Sequence, residues 1–120
     1  MINKIYLYKR YYGIISYSFK IINNNLEDKF LIKIIKYNLY NGIKALIEYA
    51  KVRDDLLKIK CLHDFDISLK MLNVIIKLGY VDHLIDLRTY RIWQSKISEV
   101  MDLMAATIVI HYRKNKLVIL

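Results

Sequence analysis

No proline occurs in the 120 residues of this chain, and glycine appears only at Gly13, Gly42 and Gly79. Proline breaks a helix interior by removing an N–H and clashing with the preceding turn, and glycine weakens it entropically. Their scarcity permits long, unbroken helices and disfavours turn-rich β architectures. The chain is 56% hydrophobic, so it can build a core and is not a disordered segment. Its length fits one domain over residues 1–120.

The single cysteine, Cys61, excludes an intramolecular disulfide. The opening "MINKIYLYKRYYGIISYSF" is no signal peptide, because Lys9 and Arg10 cut its apolar stretch and no small-residue cleavage site follows. No uncharged apolar run approaches the ~18 residues a membrane span requires. The expectation is an intracellular, cytoplasmic protein with no membrane segment and no cofactor.

The formal net charge is +9, and its distribution is uneven. Residues 1–60 hold twelve Lys and Arg against five Asp and Glu; residues 61–120 hold eight against six. Any electrostatic footprint therefore lies in the first half. Lysine outnumbers arginine 15 to 5 in a chain dominated by Ile, Leu, Lys, Tyr and Asn. These are residues of A/T-rich codons, so base composition accounts for much of the charge.

Helical periodicity runs through most of the chain. Residues 5–22 carry Ile5, Tyr8, Tyr12, Ile15 and Phe19 at helical spacing, with a hairpin around Gly13 as the alternative. Asn23 to Asn25 mark a break, and Asn25 can cap a helix whose first turn holds Glu27 and Asp28. Over 27–38 the stripe is Phe30, Leu31, Ile34 and Ile35, with Lys29, Lys33 and Lys36 opposite. "YNLYNG" ends that helix. A second, 41–51, presents Ile43, Leu46, Ile47 and Ala50, with Lys44 and Glu48 as an exposed pair. Asp54 and Asp55 offer caps for a helix over 55–63. Asp66 or Ser68 caps another over 67–78, with Leu69, Leu72, Val74, Ile75, Ile76 and Leu78 on its face and Gly79 as a left-handed terminator. The last helix spans about 90–104. The tail "ATIVIHYRKNKLVIL" is β-branched around a polar centre and reads as two short strands, or as a helix followed by a strand.

These segments form two similar units, about 27–54 and 55–89, each a helix, a tight turn and a second helix. "LIKIIKYNLYNGIKALIEYA" and "CLHDFDISLKMLNVIIKLGYVDHLID" resemble ankyrin repeats. Leu31 stands at the leading leucine, Ile34 and Ile35 at the alanine places, Asn38 at the inter-helix glycine, and Ala50 at the closing glycine. In the second unit Leu62 and His63 match a leucine–histidine pair and Gly79 the closing glycine. Divergent, A/T-biased chains of this kind resemble products of large DNA viruses. The expected fold is all-α: stacked helical hairpins, as an ankyrin-like array or a small helical bundle, with or without a short C-terminal strand pair.

"CLHDFD" gathers Cys61, His63, Asp64 and Asp66. Residues two apart on a helix point in different directions, so Cys61 and His63 should not form a nucleophile–base pair. A zinc site drawing on Cys61, His63 and His83 would lack paired ligand spacing. His83 and His111 are isolated, which favours structural or surface roles. Trp93, the only tryptophan, suits an anchor for the last helix. No catalytic or metal-ligating set emerges.

The resulting expectation is a non-enzymatic protein–protein interaction module. Contacts in an ankyrin-like array come from its connectors, here Arg53, Asp54, Asp55, Asp82, His83, Asp86, Arg88 and Tyr90, and mixed charge gives specificity. An array of two or three units with uncapped ends has apolar terminal faces, so the expectation is a homodimer or a fragment of a longer protein. The competing expectation is a basic nucleic-acid-binding protein, with Lys29, Lys33 and Lys36 following phosphates and tyrosines stacking on bases.

Overall fold

A computed structural model describes residues 4–114, and all four of its elements are helices: α1 Lys4–Asn24, α2 Lys29–Lys51, α3 Asp55–Val81 and α4 Leu87–Lys114. Connectors this short return the chain antiparallel to itself, giving a bundle 47 × 25 × 21 Å in extent. Helix α2 packs on α3, α3 on α4, and α4 on α1; α1 barely touches α2. The all-α expectation holds, in its small-bundle form.

The turns expected inside each repeat-like unit are absent. α2 runs unbroken through "YNLYNG" and α3 through "CLHDFDIS". Asn38 sits buried in mid-helix, its amide Nδ2 donating to the Ile34 carbonyl at 2.9 Å. Asp66, expected as a cap, pairs with Lys70 one turn on at 2.7 Å. One cap falls elsewhere and one falls where the sequence placed it. Asp28, not Asn25, opens α2 by accepting from the Leu31 N–H at 2.8 Å. Asp54 opens α3 by accepting from the Leu56 N–H at 3.0 Å.

Gly79 does not terminate α3 by a left-handed turn; no glycine has positive φ. The left-handed residue is His83, at φ 64°. Its N–H donates to the Tyr80 carbonyl at 3.0 Å, and the Leu84 N–H donates to the Gly79 carbonyl at 2.8 Å. Together these bonds form a Schellman closure. Residues 105–114, read as strand or helix, continue α4 because Thr107 and His111 are buried on its inner face. The second half of the proposed strand pair lies outside the described residues. The hairpin around Gly13 is likewise replaced by continuous helix.

One buried cluster joins Leu7, Tyr11 and Ile14 of α1, Ile35, Leu39 and Tyr49 of α2, Leu62, Phe65, Leu69, Leu72 and Ile76 of α3, and Trp93, Ile97, Val100 and Met104 of α4. Gly42 permits a close approach of α1 to α2. Tyr11 lies over it, donates to the Leu39 carbonyl at 2.9 Å, and meets Phe65 edge-on at a centroid distance of 4.8 Å. A Cβ on Gly42 would lie 2.7 Å from Tyr11 Cζ. The ring, held at both ends, has no room to yield. We expect Gly42→Ala to cost about 2 kcal/mol despite the better helix propensity of alanine. At Gly79 a Cβ would meet only side-chain atoms, Cδ1 and Cγ1 of Ile85 and Cδ2 of Leu31, so Gly79→Ala should stay within about 1 kcal/mol of wild type. Parallel urea titrations of the two variants test this contrast.

Candidate interaction surface

The two connectors expected to bind a partner stand at opposite ends of α3, about 40 Å apart for a 27-residue helix. Most of their residues are committed to the fold. Asp54 is a cap. Asp86 accepts from the Thr89 N–H at 2.8 Å and from its hydroxyl at 3.1 Å, which holds the Asp86 carboxyl below its usual range. Tyr90 stacks on Tyr80 with centroids 4.9 Å apart. His83 and Asp82 form the α3 terminus. Arg53 and Arg88 are exposed, one at each end. The connectors therefore do not make one surface.

Asp55 belongs to a buried polar cluster that sequence reading missed. Its Oδ1 lies 3.0 Å from His111 Nδ1, and His111 Nε2 lies 2.7 Å from the Tyr49 hydroxyl. A carboxylate only accepts, so Nδ1 carries the hydrogen toward Asp55, and in the neutral ring Nε2 then accepts from the Tyr49 hydroxyl. Lys58 Nζ lies over the Tyr49 ring at 4.9 Å and donates to the Tyr49 carbonyl at 3.1 Å. Tyr49 is almost fully buried, and burial, reinforced by nearby Tyr8 and Asp55, pushes its phenol up to about 12. A phenol held protonated and shut away from solvent is a strut, not a nucleophile.

Cys61 is buried, with its thiol pushed up chiefly by burial, whereas His63 is exposed on α3. The two do not form a pair. Among the described residues no group of three His, Cys, Asp or Glu side chains could hold a metal ion. Also among them, no helix is long and apolar enough to cross a membrane.

One apolar surface left open is the seam between α1 and α2. Because α1 leans on α4, the adjoining faces of α1 and α2 stay apart and leave a groove of about 440 Å³. Tyr8, Tyr11, Tyr12 and Ile15 line one wall, and Ile43, Leu46, Ile47 and Ala50 the other. Tyr12 is 69% exposed. Along α2, Lys29 and Lys36 stand seven residues apart and continue the line of Ile43, so the apolar groove passes into a basic strip. Lys29, Lys33, Lys36, Lys44 and Lys51 are all exposed on α2, against one acid, Glu48. No ion pair among the described residues engages these lysines, and the expected Lys44–Glu48 pair does not form. Phe30, Tyr37 and Tyr40 stand exposed between them.

Lys9 and Arg10 lie apart from this strip and line the α1–α4 groove, where Arg10 pairs with Glu99 at 2.8 Å. No family model, no curated protein and no solved structure matches this chain.

Proposed function

We propose that the protein is a non-enzymatic interaction module whose α1–α2 seam receives an amphipathic helix bearing acidic residues from another protein. The observation that carries this reading is the seam itself. Two adjacent helices of a packed bundle leave their apolar walls uncovered, and the basic strip beside them supplies the complementary charge. A helix laid in the groove would cover Tyr12, Ile43 and Ile47 as a fifth member of the bundle, and its acids would meet Lys29, Lys33 and Lys36.

A second reading rests on a separate observation. Phe30, Tyr37 and Tyr40 interleave with the same lysines, the arrangement in which bases stack while cations follow phosphates. One experiment divides the two. Fluorescence anisotropy would follow binding of a synthetic Leu/Glu amphipathic helix, its Leu/Lys counterpart, and a single-stranded oligonucleotide. The seam reading expects binding of the acidic helix alone, weakened about 30-fold by Ile47→Asp and several-fold by K29E/K33E/K36E. Oligonucleotide binding that ignores Ile47→Asp and falls steeply with salt would install the nucleic-acid reading instead.

A further inference from the structure

Helix α3 is apolar on two opposite sides. Its inner face, through Leu62, Phe65, Leu69, Leu72 and Ile76, is core. Its outer face carries Ile67, Met71, Val74, Leu78 and Val81, each between 49% and 58% exposed. These five follow a 4-3-4-3 spacing, the pattern that forms a straight seam between two helices. Lys60 and Asp64 continue the spacing toward the N-terminus but are joined in their own ion pair at 3.4 Å, which closes the stripe at that end.

We propose that a second copy of this chain covers the stripe, α3 against α3 in parallel, about a two-fold axis along the helices. Two observations select this occupant. At their exposures the five side chains offer on the order of 450 Å² of apolar surface, about the apolar share of the roughly 800 Å² each partner contributes to a standard interface. The flanks are also complementary in this orientation. Lys70 and Lys77 lie on one side of the stripe, and Asp82 with Ile75 on the other. A parallel pairing sets Lys77 of each copy against Asp82 of the other, the residue five positions on, and repeats the contact by symmetry. An antiparallel pairing would set Lys70 against Lys77. This interface is separate from the α1–α2 seam and does not depend on it.

The test is sedimentation equilibrium of the full chain at 5–500 µM (roughly the range where an interface of this size is measurable), with circular dichroism on every variant. The expected result is a dimer whose Kd rises at least ~100-fold in Met71→Glu with helicity retained. Lys77→Asp or Asp82→Lys alone should weaken it about tenfold, and the double exchange should restore it. A chain that stays monomeric throughout overturns the proposal. So does a dimer that survives Met71→Glu but is lost with Ile47→Asp, which would place the contact in the seam. Strengthening by Lys77→Asp alone overturns the parallel arrangement.

Discussion

Replacing Trp93 by alanine is expected to cost about 4 kcal/mol, the largest single loss in the molecule. Trp93 is fully buried where α4 meets α1. Its indole Nε1 donates to Ser18 Oγ at 3.0 Å, and Ser18 in turn donates to the Ile14 carbonyl at 2.7 Å. Tyr17 meets the indole edge-on at a centroid distance of 6.0 Å. Alanine would remove the apolar bulk and leave a cavity between the helices. Domains of this size are stable by roughly 5–15 kcal/mol, so the variant would lose a large fraction of its margin. Two further variants separate packing from hydrogen bonding. Trp93→Phe keeps much of the bulk and should cost about 2 kcal/mol, and Ser18→Ala, which strands the indole N–H, about 1–2 kcal/mol. Denaturant unfolding must be followed by circular dichroism, since Trp93 is the sole tryptophan. A loss under 1 kcal/mol for Trp93→Ala would mean that α1 is not docked on α4 in this way.

The second large effect is expected at the other end of the bundle. His111→Ala should cost about 3 kcal/mol, because it takes a partner from both the Asp55 carboxylate and the Tyr49 hydroxyl in a place nearly closed to water. Tyr49→Phe removes the bond to His111 and should cost about 1 kcal/mol at neutral pH. The alkaline limb follows from the phenol. Tyr49 ionises at about 12 in the fold against an ordinary value of 10.0, so stability that depends on its neutral form is fully present below pH 10 and lost as pH rises through about 12. Burial raises Tyr11 further in the same direction. The gap between wild type and Tyr49→Phe should therefore narrow above pH 10 in urea titrations. A gap that stays constant to pH 12 would show that the phenol is not held neutral by the fold.

The helical character of the chain was legible, and so were its apolar stripes, but not what the stripes face. Tyr8, Tyr12, Ile15 and Phe19 on α1, and Ile43, Ile47 and Ala50 on α2, stood out by spacing as core positions. In the fold Phe19 is exposed and the others border the open seam, while the core takes Leu7, Tyr11, Ile14, Ala45 and Tyr49. Periodicity finds an apolar side and is silent on whether a neighbour reaches it. On α3 the expected face mixed two stripes, since Leu69, Leu72 and Ile76 are buried whereas Val74 and Leu78 are exposed. The 4-3 spacing of the outer stripe was present in the residues and could have separated them.

The false turns have a different origin. Asn, Gly and Asp favour turns by local chemistry; at Asn38 and Asp66 side-chain bonds one turn along the same helix accommodate them in mid-helix, and at Gly42 the close packing of Tyr11 and Phe65 overrules the preference. His111 could not have been placed from local pattern at all. Its partners lie 62 and 56 residues away in the chain.

The lopsided docking of α1 has a mechanical consequence. α3 is clasped from two sides, whereas α1 hangs on α4 and meets its other neighbour at little more than one tyrosine. Opening should therefore begin with α1 swinging away and leave three helices still assembled. A ligand wedged along its loose side would act as a latch, slowing that excursion without altering the rest of the molecule.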